Sequence, residues 1–301
     1  MRSRQDVRPS VTARPEEEAE LTEVLQITGR SQAPVIVSVP HTGNLVPPDI
    51  AGQLTVPATR VAGRRDEYAW ELAQVAAPVA TVLRALCARA VIDLNRSGTV
   101  TEVDQSPDPE GDNERLVRLF GPDGELLWRA RPGEAPLSTH ELERRLRKYY
   151  DPYHEAVQRV LRRAPRPCVL LDMHSMDETA FDLVVGDFRG RSAGTGFCER
   201  VVCPFFTERG YRVGYAGPRP VDRRGRPVSE VAIRHSGGFI TGRYGDPATG
   251  CHALQIEAAR AAARARLPDM IRDFEAFFRM LDAWMRNSTG AAGHPRQDPV
   301  R

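Results

Sequence analysis

A chain of 301 residues that is 41% apolar can bury a core of its own, and it fits one large domain with trimmings. The formal net charge of +2 supplies no strong field toward nucleic acid or an anionic membrane, and the arginines are scattered among carboxylates without a basic block; Lys148 is the only lysine. No apolar stretch approaches the roughly 20 residues of a membrane helix, and the N-terminus lacks the apolar segment of a signal peptide, so the expected location is the cytoplasm and the expected partner a small molecule.

Residues 1–30 are charged, rich in Pro and Glu, and read as a mobile arm; residues 31–286 form the domain, and 287–301 a flexible tail. In chain order, PVIVSVP (34–40), RAVIDLN (89–95), PCVLLDMH (167–174), DLVVGD (182–187), RVGYAG (212–217) and HALQIE (252–257) read as strands, several apolar on both faces and therefore central. Helices are expected near 66–77, 139–163, 197–209 and 258–285. This alternation predicts a single α/β domain with a mixed, mostly parallel sheet covered by helices on both faces. The polar stretch 97–136 is long for a connection and is expected to fold over the sheet's edge as a lid. The five cysteines form no C-x-x-C pair and read as reduced core thiols; a metal role for Cys198 and Cys203 lacks the four ligands that structural zinc normally takes.

Ligands of open α/β sheets bind beyond the carboxyl ends of the strands, so the polar residues that close apolar strands are the ones to weigh. PVIVSVP runs into His41. PCVLLDMH ends on His174, with Asp172 two residues earlier on the same strand face. A lone histidine at such a position is more often a satisfied core residue, but two of them with carboxylates nearby suit a metal as well. Asp66 or Glu67 in GRRDEYAWELAQV is the candidate third ligand, and the competing reading of Asp66 is a helix N-cap. Glu257 closes HALQIE, where it is either a proton-transfer group or a surface glutamate in the first turn of a helix.

With these residues in view, the chain resembles the N-formylglutamate amidohydrolase family, which is similar in fold to zinc carboxypeptidases and other phosphorylase/hydrolase-like enzymes. The resemblance rests on SVPHTG (38–43), the Asp66 region, VIDLNR (91–96), DPYHEAV (151–157), LLDMHSM (170–176), GGFITGRYG (237–245) and GCHALQIE (250–257), in the family's order. It implies one Zn2+ held by His41, Asp66 and His174, with Glu257 as general base. It also implies substrate binding by Asn95 and Arg96, with Asp172 orienting a ligand; Arg243 and His252 are further candidates for substrate contact, His252 being equally a core residue. The implied reaction is hydrolysis of an N-formyl or N-acyl amide of an amino acid. One departure stands out. The family usually has arginine directly after Ile-Thr in GG-x-I-T, whereas this chain has Gly242 there and Arg243 one place later. On an extended segment that shift would turn the side chain to the opposite face, which favours a different amide substrate. A non-catalytic binding protein on the same scaffold and a serine hydrolase are the weaker alternatives, because every matching position is filled and neither Ser38 nor Ser175 lies in a G-x-S-x-G elbow.

Overall fold

The computed structural model describes residues 20–105, 109–121, 123–130, 135–177, 180–218 and 235–289. Its centre is one eight-stranded mixed sheet in the order β1-β2-β4-β3-β5-β8-β6-β7. The strands are β1 (Glu20–Leu21), β2 (Leu25–Gly29), β3 (Val35–Val39), β4 (Thr81–Ala85), β5 (Cys168–Met176), β6 (Leu183–Gly186), β7 (Val213–Ala216) and β8 (Cys251–Ala259). The pairs β3/β4, β3/β5, β5/β8 and β6/β7 are parallel, whereas β1/β2, β2/β4 and β6/β8 are antiparallel.

The central strands β3 and β5 are β-branched and aliphatic because both of their faces are covered. Alternate residues feed two cores. On one face Ile36, Leu83, Leu170 and Ala253 pack with Tyr153, Val157 and Val160 of the Asp151–Arg163 helix. On the other, Val37, Leu171, Met173 and Ile256 pack with Leu72 of the Ala69–Ala73 helix and with Phe274, Phe277 and Phe278 of the Arg260–Thr289 helix. That last helix is broken at Arg266 ahead of Pro268, as expected where proline removes a main-chain donor.

Three expectations need correction. Part of the predicted arm, residues 20–29, is sheet: Leu25 and Ile27 point into the core and β2 pairs with β4, and the turn out of β2 requires Gly29 at φ +107° against the Ala80 carbonyl. RAVIDLN is not a strand; β4 lies earlier, at Thr81–Ala85. Val91, Ile92 and Leu94 are buried, but from an irregular backbone whose polar groups find other partners: Asp93 N–H donates to Leu116 O at 2.6 Å, and Arg145 donates to Val91 O at 3.1 Å. The 97–136 stretch is no free lid. Its Leu116, Val117, Leu119, Leu127 and Trp128 are buried in the first core, with the Arg145 guanidinium 4.2 Å over the Trp128 ring. The predicted tail is helical as far as Thr289; its remainder, and residues 1–19 of the predicted arm, lie outside the described residues. The helical stretch at 139–163 is present with an intervening π-helical turn (Leu146–Tyr150), and that at 197–209 as a π-helical turn (Cys198–Val202) leading into a helix (Cys203–Thr207).

Candidate metal centre

The carboxyl ends of β3, β5 and β8 meet on the first-core face. His41 follows β3 by one tight turn, and His174 lies on β5 directly opposite Glu257 of β8 in the parallel register. Asp172 precedes His174 by two residues, on the same face, opposite Gln255. Asp66 comes from the segment before the Ala69–Ala73 helix, where its N–H donates to His41 O at 2.9 Å. The residue preceding that helix is Tyr68, in the left-handed region at φ +67°, and no side chain caps it. The Asp66 carboxylate therefore turns inward instead of capping. Glu67 points away, 3.7 Å from Arg264.

His41, Asp66 and His174 are all buried, and one potential ligand atom from each lies within 4.8 Å of the other two. Asp66 Oδ2 is 2.9 Å from His174 Nδ1 and 3.5 Å from His41 Nδ1. The far nitrogens are held by carboxylates: His41 Nε2 to Asp93 Oδ1 at 2.7 Å, and His174 Nε2 to Asp172 Oδ2 at 2.8 Å. Ser38 Oγ donates to the other Asp172 oxygen at 2.9 Å, and Arg89 clamps the other Asp93 oxygen through Nε at 2.9 Å and a terminal nitrogen at 2.8 Å. Both histidines thus present Nδ1 to Asp66 while a carboxylate orients the ring from behind, the arrangement common among metal-ligating histidines. Buried His41 Nδ1 has no hydrogen-bond partner. A buried ring nitrogen without a partner is costly unless something outside the protein takes its lone pair.

The electrostatics follow from this crowding. Burial opposes the charged form of His174, yet Asp172 and Asp66 outweigh it and hold the imidazole well above its ordinary range. Burial likewise opposes ionised Asp66 and Asp93. His174 and His41 hold Asp66 low, and Arg89 and His41 hold Asp93 well below the usual carboxylate range.

A cavity of about 250 Å³ opens over the cluster, lined by His41, Asp66 and His174 together with Asn95, Arg96 and Glu257. Gln255 Nε2 donates to Glu257 Oε1 at 2.8 Å, and His235 Nδ1 lies 3.2 Å from the same oxygen. Asn95 is fixed by the Ile240 N–H at 2.9 Å and approaches His174 Nε2 to 3.2 Å; only glycine at 238 permits this, because a Cβ there would fall 2.2 Å from the Asn95 amide. Arg96 donates to Asn95 O and Asn113 O, and Tyr150 O–H donates to Arg96 O at 2.8 Å. His154 Nε2–H donates to Leu94 O at 3.0 Å while Nδ1 accepts from Tyr244 O–H at 2.8 Å, so the DPYHEAV segment anchors the residue before Asn95.

Two predicted site residues are elsewhere. His252 stands at the start of β8, accepts the Gly194 N–H at 2.9 Å and stacks on Phe197, which makes it a half-buried packing residue. Arg243 lines a neighbouring hollow with Tyr150 and His154. The Phe239–Tyr244 segment is a helix, not the extended segment expected, so a one-residue shift rotates a side chain by about 100° and does not flip it. Gly242 faces the Phe188 ring, where an added Cβ would lie 2.7 Å from the ring edge. Cys198 and Cys203 are free thiols away from the cluster. Sequence reasoning missed Asp93, Arg89 and His235. Asp93 had a signal in the sequence, a carboxylate within an otherwise apolar Val-Ile-x-Leu run; His235 had none.

The model of the N-formylglutamate amidohydrolase family matches residues 33–263. The chain belongs to this family. Relatives include an N-formylglutamate deformylase of Pseudomonas putida, 30% identical over 246 residues that cover 77% of this chain and 82% of the relative, and one of Pseudomonas aeruginosa, 28% identical over 250 residues with the same coverage. Among solved structures, an N-formylglutamate amidohydrolase from Ralstonia eutropha superposes with a TM-score of 0.71 at 20% identity, covering 89% of this chain and all of the other. A gene product of Agrobacterium tumefaciens gives 0.60 at 16% identity, covering 89% and 97%. Both likenesses concern the fold. Family membership makes the protein an amide-cleaving hydrolase, and among the described residues no helix is long and apolar enough to cross a membrane.

Proposed function

We propose that the protein is a zinc-dependent amidohydrolase that removes an N-formyl or other N-acyl group from an amino acid. The observation that carries this reading is the convergence of His41 Nδ1, Asp66 and His174 Nδ1 beneath Glu257. Two histidines and a carboxylate match the ligand set of many hydrolytic zinc sites, and the unpartnered His41 Nδ1 fits a cation in that place. Bound there, zinc would supply Lewis acidity, polarising the amide carbonyl and bringing the pKa of a water toward about 7. Glu257 accepts the attacking water's proton and returns it to the leaving nitrogen. Gln255, with His235 alongside, keeps the Glu257 carboxylate oriented. With the ion bound, Asp93 and Asp172 would accept from each Nε2–H and leave the Nδ1 lone pairs to the metal, and Asn95 and Arg96 position the substrate, the guanidinium pairing with its carboxylate.

The test is hydrolysis of N-formylglutamate and a panel of N-acyl amino acids by zinc-loaded protein. Glu257→Gln should keep its zinc while kcat falls by a factor on the order of 10² to 10⁴, the usual worth of a positioned acid or base. Near-parental turnover in that variant would exclude Glu257 as the base. A second reading keeps the catalyst but changes the amide, and one observation favours it: Arg243 faces the neighbouring hollow and Gly242 faces Phe188, so neither supplies a second guanidinium to the cavity. N-Formylglutamate would then be a poor substrate beside another member of the panel.

A further inference from the structure

A second hollow, of about 490 Å³, adjoins the metal-centre cavity and shares Asp66 and Arg89 with it as walls. This volume is in the range of small-molecule sites. Five guanidinium groups line it, those of Arg64, Arg65, Arg89, Arg118 and Arg260, against three carboxylates.

Most of these charges have partners. Arg89 is bound to Asp93, and Arg260 to Asp177 at 3.1 Å and to Ser175 Oγ at 3.2 Å. Asp66 faces the two histidines, and Glu67 faces Arg264. Arg64 donates one N–H to Phe120 O at 3.0 Å, a neutral acceptor, and forms no ion pair among the described residues. Arg118 has less. Its main chain is anchored, the carbonyl accepting from Trp128 Nε1 at 2.7 Å, but its guanidinium makes no hydrogen bond or ion pair among the described residues, and its Nε is buried without an acceptor. Burial, helped by Arg89 and Arg64, pulls its pKa down to about 10. A rigid fork of donors, partly desolvated and fixed beside other cations, is an arrangement that favours an incoming planar anion.

We propose that this hollow is an anion subsite, with Arg118 as its principal donor and Arg64 beside it, that takes a carboxylate at the end of the substrate's acyl chain. The assignment of that anion to the substrate rests on the amidohydrolase reading. Of these two cavities, Arg96 lines the metal-centre one and Arg118 the second hollow. An amide lying over the cluster with its amino-acid carboxylate at Arg96 would direct its acyl chain past Asp66 and Arg89 toward Arg118. The substrate class is therefore an ω-carboxyacyl amino acid, an acyl chain too long and too charged to be formyl.

The experiment compares malonyl, succinyl and glutaryl amides of glutamate with neutral acyl amides of the same chain length. Binding is read by calorimetry in zinc-loaded Glu257→Gln protein, where turnover is slowed by about 10²- to 10⁴-fold, and kcat/KM in the parent. At least one carboxyacyl chain should bind about tenfold or more tightly than its neutral counterpart, the worth of one charge-assisted hydrogen bond. Arg118→Gln should bring that ratio close to one in both readouts. Arg118→Lys, which retains the charge without the fork, should keep part of it and guards against misfolding of the glutamine variant. A ratio near one before any change at Arg118, or a ratio that survives Arg118→Gln, would overturn the subsite. An intact binding ratio with no turnover of any amide would leave the subsite standing and overturn the hydrolase reading alone.

Discussion

The candidate site has two walls built on different terms. One is the β5/β8 pair, where the pleat alone places His174 and Asp172 on one face and sets Glu257 opposite His174. The other is the irregular segment from Arg89 to Arg96, which delivers Asp93, Asn95 and Arg96 with no strand or helix beneath them. Its shape is held by groups reaching in from elsewhere: Arg145 to Val91 O, His154 to Leu94 O, Tyr150 to Arg96 O and Leu116 O to the Asp93 N–H. A strand wall tolerates changes in its neighbours because its ladder is repeated many times over. A loop wall depends on a few side chains, each of which can be removed singly.

The largest expected effect falls on the ligands themselves, irrespective of wall. His174→Ala on the strand and His41→Ala at the end of β3 should each lose most bound zinc and nearly all hydrolysis, because two remaining ligands leave the ion under-coordinated. Far-UV circular dichroism should stay near that of the parent, since the substitution leaves the apolar side chains of both cores in place. Zinc binding equal to the parent's would identify that histidine as a core residue.

The comparison sharpens one shell further out. Asp172→Asn and Asp93→Asn each remove a carboxylate behind a ligand histidine, and each should weaken zinc binding by about 10- to 100-fold in a competition titration against a chelator. The two should part on stability. Asp172 loses its partners within a regular ladder, whereas Asp93→Asn also strands the Arg89 guanidinium, so its urea midpoint should fall further, by about 1 to 3 kcal/mol in unfolding free energy. Equal midpoints would show that the loop is as self-supporting as the strand.

How much of this was legible in the sequence follows the same division. β3 and β5 announced themselves as apolar runs ending on histidine, and alternation put Asp172 on the face of His174. The segment reads as a strand because Val91, Ile92 and Leu94 are as apolar as strand residues; what distinguishes this stretch is where its backbone groups bond, and those partners are some 20 to 60 residues away. Asp66 could be placed only once the helix was seen to begin at Ala69. The first strands were hidden by a charged neighbourhood, although Leu25 and Ile27 alternate correctly. His252 and Arg243 were drawn into the site by proximity in sequence to motif residues, and the lengths of β8 and of the Phe239–Tyr244 helix carry them out of it.

A further effect, spread over several pH units, concerns protonation. Burial pulls the His154 imidazole down to about 4, and the neutral ring donates Nε2–H to Leu94 O while Nδ1 lies 2.8 Å from the Tyr244 hydroxyl. Its folded pKa lies below the roughly 6.5 of an unfolded histidine, so the unfolded chain binds the extra proton first. Stability from this residue is complete above about pH 6.5 and declines as pH falls toward 4, by about 1 to 3 kcal/mol. His154→Gln should flatten that part of the stability profile, and the gap between parent and variant in urea melts should narrow from pH 7 to pH 4.5. A constant gap would remove His154 as the titrating anchor of the loop.

The central claim is that His41, Asp66 and His174 form a zinc site that drives amide hydrolysis, and elemental analysis of the purified protein tests it most directly. The account predicts about one zinc per chain, loss of hydrolysis when a chelator removes it, and recovery when zinc is returned. Carefully prepared protein that hydrolyses amides at full rate without any bound metal would contradict it.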